Sequence, residues 1–128
     1  PKLNENDAVV LMGHGTHHHS NTAYPAMNYV FSDLDMKNVF VGTVEGYPEI
    51  AEVKVRLNNA GIKKVTLMPF MIVAGDHASN DMAGDEEDSW KSILEKDAYE
   101  IDTYLHGLGE NTDIQEIFVD HAKEALEL

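Results

Sequence analysis

The 128-residue chain contains no cysteine, an absence that removes disulfides, thiolate metal sites and thiol nucleophiles together. His, Asp and Glu remain as its strong metal ligands. Positive charge is scarce: 9 Lys and Arg stand against 23 Asp and Glu, for a formal net charge of −14. A surface this acidic repels nucleic acid and anionic lipid and attracts cations, so neither nucleic acid nor a membrane is expected as a partner. No apolar run approaches the roughly 20 residues that cross a bilayer. No phosphate loop, no Ser-His-Asp order and no basic patch interleaved with aromatics is present. The opening PKLNENDAVV lacks a basic stretch followed by a long apolar one, so no signal peptide is expected. It also lacks an initiator Met, which fits a mature product, a trimmed chain or a fragment. The expected compartment is the cytoplasm, or the periplasm if a leader before Pro1 was removed.

What is present fits one domain over residues 1–128. A hydrophobic content of 43% suits an ordinary core, and a chain of this length buries roughly two thirds of its unfolded surface. The pattern alternates strand and helix four times. Asp7 to Met12 is a short apolar run stopped by Gly13. Asn21 to about Leu34 follows, with Ala23, Met27, Val30, Phe31 and Leu34 at helical spacing. Asn38 to Val44 reads as a second strand. Pro48 is expected to open the next helix, with Ile50, Val53, Leu57 and Ala60 inward, an i,i+4 pair of Glu52 and Arg56, and Gly61 at its end. Lys64 to Val73 reads as a third strand whose ladder ends or is interrupted at Pro69, followed by a long polar loop and a helix near Ser89 to Lys96. Tyr99 to Leu105 alternates as a fourth strand. Thr112-x-x-Gln115 reads as a capping box for a last helix that turns Ile114, Ile117, Phe118, His121 and Ala125 inward. Short links between such units imply a four-stranded parallel sheet with helices on both faces, a flavodoxin-like three-layer α/β sandwich.

In such a sheet, ligands bind outside the carboxyl ends of the strands. The unusual segments fall there: GHGTHHH after strand one, EGYPE after strand two, AGDH after strand three and HGLGEN after strand four. His14 lies between two glycines at a strand end, where small neighbours admit a ligand. A neutral imidazole there suits a first-row divalent metal or a proton transfer, and equally a plain hydrogen bond to the turn. His17, His18 and His19 cannot all face one site and read as a solvated loop. Glu45 could complete a His/His/carboxylate set or act as a base, or be an ordinary loop acid among 23 acids. His77 closes an apolar run at the same rim. Asp85 to Asp88 read as acids favoured by a helix N-terminus rather than as ligands. Trp90 and the Met residues read as core or pocket lining, and His121 as a structural histidine.

Four stretches together carry a resemblance: GHGTHH, VGTVEGYPE, LMPFMIVAGDHASNDMAGDEEDSWK and GLGEN. They resemble the anaerobic cobaltochelatases of the CbiK type, a class II chelatase family. The resemblance covers nearly the whole chain but only the C-terminal half of the family's two-domain length. It implies a chelatase-like domain that inserts Co²⁺, the substrate metal, into sirohydrochlorin or a related tetrapyrrole in anaerobic cobalamin biosynthesis, without an organic cofactor. It carries the metal-binding and catalytic roles onto His14, Glu45 and His77. Around them, Gly13, Gly15, Thr16, Gly46, Tyr47, Gly75 and Asp76 would meet the substrate. It also implies a partner, either the missing N-terminal half or a second copy. A preference for Fe²⁺ or Ni²⁺, and a fragment that binds metal or tetrapyrrole without turnover, remain open alternatives.

Overall fold

The computed structural model of the protein describes residues 3–127. Four parallel strands, β1 (Asp7–Gly13), β2 (Val39–Thr43), β3 (Lys64–Pro69) and β4 (Glu100–Thr103), pair in the order β2-β1-β3-β4. The central strand β1 is bonded on both sides, with Val9 opposite Val39 in β2 and opposite Thr66 in β3. The chain steps outward from β1 to β2, then back across β1 to β3 and on to β4. Right-handed crossovers therefore put α1 (Ala23–Asp33) on one face and α2 (Ile50–Asn59) and α3 (Trp90–Lys96) on the other.

The alternation of burial along β1 and β3 shows which face holds the core. Ala8, Val10, Met12, Val65 and Leu67 pack against Val53 and Leu57 of α2, Trp90 and Leu94 of α3, and Ala78 and Met82. Fully burying an aliphatic side chain such as Leu94 contributes about 1.5–3 kcal/mol. Gly42 in β2 permits this close fit, since a Cβ there would lie 2.7 Å from Val53 and 2.8 Å from the Trp90 ring. On the opposite face α1 lies against β2 and blunts its free edge. Asn28 donates to the Val41 carbonyl at 3.0 Å and accepts from the Val41 N–H at 2.8 Å, in place of a neighbouring strand. Beyond α1 that face is half-open: Val9, Leu11, Thr66 and Met68 are only partly buried.

Several expected details differ. β3 ends at Pro69, the proline expected to end or interrupt its ladder, and short of Val73; beyond it the carbonyls of Met71 and Ile72 accept from the N–H groups of Leu108 and Gly109. β4 is shorter than the alternating run Tyr99 to Leu105. Pro48 precedes α2 by two residues, and Glu49 is the cap: its side chain and that of Glu52 form a reciprocal capping box, so Glu52 serves the cap and not Arg56. A π-helical turn, His77–Met82, occupies part of the expected polar loop. α1 begins only after a 3₁₀ turn, His19–Thr22, and leaves Val30 and Leu34 exposed. The last helix, α4 (Thr112–Leu126), is capped by Asn111, whose side chain accepts from the N–H groups of Asp113 and Ile114. Thr112 and Gln115 form no box; Gln115 donates instead to the Gly109 carbonyl. Of the face expected to turn inward only Ile114 is half-buried: Ile117 and Phe118 are 50% and 56% exposed, and His121 and Ala125 are exposed as well. α4 stands clear of the sheet, so its apolar stripe has no partner among the described residues.

Candidate functional site

The crevice of an open parallel sheet lies where neighbouring strands send the chain in opposite directions. Here that point falls between β1 and β3, and it is where His14 and His77 meet. Their rings pack edge to face, with centroids 4.6 Å apart and planes at 87°. Glu45, following β2, brings its Oε2 to 3.8 Å from His14 Nδ1. The three residues singled out in the sequence thus converge on one rim from three strand ends.

Each is positioned by local backbone. Gly15 takes φ +81°, a left-handed conformation that folds the first loop against the second; a Cβ there would stand 2.7 Å from the Gly46 nitrogen and 2.8 Å from Thr43. The Val44 N–H donates to the Gly13 carbonyl at 3.1 Å and the Glu45 N–H to the His14 carbonyl at 2.8 Å, fastening Glu45 beside His14. Gly13 and Gly46 pack so tightly that a Cβ would collide with Tyr24 and Asn21 respectively. Thr16 and Tyr47 are joined by Asn21, which accepts from the Thr16 N–H at 3.1 Å and donates to the Tyr47 carbonyl at 2.8 Å. Gly75 and Asp76 are exposed ahead of the π-helical turn, and nothing lies within 4 Å of a Cβ built on Gly75.

The hydrogen bonds assign the imidazole tautomers. His14 Nδ1 lies 3.0 Å from the Gly15 carbonyl oxygen, which can only accept, so Nδ1 carries the proton. His77 Nδ1 lies 2.5 Å from Asp81 Oδ2, a carboxylate that again accepts. In the neutral form of either ring Nε2 is then the nitrogen with a free lone pair, the form in which imidazole binds metals. Glu45 sits on the Nδ1 side of His14, so its carboxylate must swing to share a cation held by Nε2. In keeping with that, no three His, Asp or Glu side chains among the described residues already enclose a metal position. The side chains of His14 and Glu45 are 48% and 52% exposed, which leaves them open to a ligand approaching the rim.

A cleft of about 750 Å³ opens beside Glu45, walled by Thr16, His17, His18, His19, Tyr47 and Glu49, and no Lys or Arg among the described residues lines it. His18 has a structural task there, since its Nδ1 accepts from the Ser20 N–H at 3.2 Å and so caps the 3₁₀ turn. On the far side of the rim, His106 Nδ1 donates to Glu110 Oε2 at 2.7 Å. That bond, with the Gly107 N–H second, holds the Glu110 carboxyl below its ordinary range. Of the acidic run, Asp85 pairs with Lys91 at 2.8 Å, which lowers its pKa, and the cap of α3 is Ser89. Trp90 is buried in the core, and His121 lies on the exposed α4.

Two residues near the site escape a reading of the sequence. Asn21 is distant in sequence from Tyr47, and no spacing announces the clasp. Asp81 is announced only by its position four residues after His77, a signal that needs the helical turn to be known.

The sequence model of the family described as "Cobalt chelatase (CbiK)" matches residues 1–127. A protein of Salmonella typhimurium named sirohydrochlorin cobaltochelatase is 41% identical over 128 residues, which are 100% of this chain and 48% of the relative. A protein of Nitratidesulfovibrio vulgaris named sirohydrochlorin cobaltochelatase CbiKC is 37% identical over 120 residues, 94% of this chain and 42% of the relative. The chain thus spans less than half the length of these curated relatives. With a match running over nearly every residue, and with the fold and rim described above, the chain belongs to the cobalt chelatase (CbiK) family.

Proposed function

We propose that this chain is a catalytic half of a sirohydrochlorin cobaltochelatase, inserting Co²⁺ into the macrocycle in anaerobic cobalamin biosynthesis. The observation that carries the reading is the meeting of His14 and His77 at the β1/β3 crevice, with Glu45 beside His14. Metal insertion requires a cation presented to one face of the tetrapyrrole while its pyrrole N–H protons leave. His14 and His77 offer neutral Nε2 atoms to Co²⁺, and Glu45 adds a compensating charge. Two N–H protons leave as the four ring nitrogens take the metal, and Glu45, or an imidazole Nε2 that has released the metal, accepts them. Nitrogen and oxygen ligands without thiolate hold such a cation loosely enough to pass it on. An unclosed ligand set favours the same outcome, because a complete cage would retain the metal.

The substrate is a polycarboxylate, and the cleft beside Glu45 offers it no Lys or Arg among the described residues. Gly13, Gly15, Thr16, Gly46, Tyr47, Gly75 and Asp76 would line its edge through backbone and small side chains. The positive groups that hold its carboxylates are assigned to a second half, either the N-terminal half of a longer chain or another copy, with residues 1–128 acting as the C-terminal half and as one domain. Two features support a second half: the half-open sheet face over Val9, Leu11, Thr66 and Met68, and the unpartnered stripe of α4. The cytoplasm is the compartment assigned with this reading; among the described residues no helix is long and apolar enough to cross a membrane.

The test follows the absorbance of sirohydrochlorin with Co²⁺, with and without the chain, and with His77→Ala as control. Acceleration lost in the variant supports the reading. Binding of Co²⁺ without acceleration identifies a binding module that lacks turnover alone. Faster insertion of Fe²⁺ or Ni²⁺ moves the metal preference.

A further inference from the structure

We propose that Asp81 is a positioning residue for His77: it accepts the His77 Nδ1–H, fixes the tautomer that keeps Nε2 unprotonated, and holds the ring at the crevice. The inference deepens the metal-handling reading above and rests on it for its functional consequence, while the tautomer itself can be read in the metal-free chain.

The geometry begins with the backbone. The segment from His77 to Met82 is a π-helical turn, closed by the Ala83 N–H donating to the Ala78 carbonyl at 3.2 Å. Such turns are rare and concentrate at functional sites. This one is anchored from below, because Ala78 and Met82 are fully buried in the core between sheet and α3. It is fastened beyond its end as well, where Ser89 Oγ donates to the Gly84 carbonyl at 2.7 Å. With the two apolar side chains pinned, the polar pair one residue earlier in each case, His77 and Asp81, is displayed together on the outer side of the turn.

The contact itself is direct and uncontested. His77 Nδ1 and Asp81 Oδ2 lie at 2.5 Å, and the pair is little more than a third to a half exposed. No lysine or arginine pairs with Asp81 among the described residues, so its carboxylate serves His77 alone. His14 reaches the same tautomer by another device, the Gly15 carbonyl. The two rings are therefore set alike, one by backbone and one by a charged side chain. A carboxylate on the far nitrogen of a metal-binding imidazole orients the ring and raises its basicity, and its loss weakens metal affinity about 10- to 100-fold.

The experiment compares the chain with Asp81→Ala and Asp81→Asn. The ¹⁵N chemical shifts of His77 in the metal-free protein report which nitrogen bears the proton, and titration with Co²⁺ alone, followed by calorimetry, reports affinity. Asp81→Asn retains an oxygen acceptor and should keep the Nδ1–H form with a smaller loss of affinity. Asp81→Ala should let the tautomers mix and lose about 10- to 100-fold in affinity. Unchanged His77 shifts in Asp81→Ala overturn the proposal, whatever the metal data. An affinity loss in Asp81→Asn as large as in Asp81→Ala, with the tautomer preserved, overturns it too, since Asp81 would then be a ligand itself. A wild-type chain that fails to accelerate insertion, but whose His77 shifts respond to Asp81→Ala, counts against the chelatase reading and leaves the positioning role standing.

Discussion

His14 and His77 stand edge to face with ring centroids 4.6 Å apart, one carried by the loop after β1 and the other by a π-helical turn after β3. Residues so far apart in sequence meet because β1 and β3 are neighbours in the sheet while the chain leaves them in opposite directions. If both imidazoles hold one cation, they act as a unit, and removing either disables the pair. His14→Ala and His77→Ala should each slow Co²⁺ insertion by tenfold or more, about 1.4 kcal/mol of barrier or above. The double variant should be no worse than the worse single one. Single-turnover rates on all four proteins check this. Losses that multiply would mean two independent roles.

Gly15 is needed for its backbone conformation, whatever it offers the substrate. At φ +81° an added Cβ is strained and also meets the Gly46 nitrogen at 2.7 Å. Gly15→Ala should lower folding stability by about 1–3 kcal/mol and loosen the His14–Glu45 pairing. Gly75→Ala, where a Cβ meets nothing within 4 Å, should stay within about 0.5 kcal/mol of the parent. Urea unfolding of the two variants separates the cases. Equal effects would remove the packing argument for Gly15.

Much of this arrangement is legible in the sequence. Apolar runs stopped by Gly13 and followed by Glu45 mark β1 and β2 and place their loops at the carboxyl rim. His77 is found on the same reasoning, although β3 ends well before it. What could not be read has physical causes. The π-helical turn lies in a stretch rich in Gly and Asp, which reads as a loop, and the turn's only buried residues are Ala78 and Met82. Pairing of His77 with Asp81 depends on that turn. The inward face assigned to α4 fails for the opposite reason: its apolar spacing is real, but periodicity says that a face is sticky and not what covers it. Glu52 could pair with Arg56 or cap Glu49, and only the loop geometry decides for the cap.

The uncovered stripe of α4 predicts behaviour in solution. Ile117, Phe118 and Val119 are each at least 50% exposed, and Leu126 is 87% exposed. Water contact along such a stripe favours association with the half-open sheet face of another α/β half. Net charge of −14 opposes association of two copies, so screening by salt should promote it. Sedimentation across protein concentration and salt should show a species heavier than the monomer, and Phe118→Asp should shift it back. A fully active monomer at all salt concentrations would defeat the idea that a second half is required.

Glu110 offers a test of the rim that does not involve Co²⁺. Its carboxyl is lowered first by the hydrogen bond from His106 and then by the Gly107 N–H. A group whose folded pKa is depressed contributes order that is complete above its ordinary value and is lost as pH falls through the lowered one. Because the group is exposed, the consequence is local, an ordering of the loop after β4 rather than a change in global stability. Carboxyl ¹³C titration should therefore place Glu110 below an ordinary glutamate in the parent chain. In His106→Ala it should move up toward the ordinary value but stop short of it, held by the Gly107 N–H that remains. A Glu110 titration identical in the two proteins would show that His106 does not hold the carboxylate, and the loop would owe its order to the backbone bond alone.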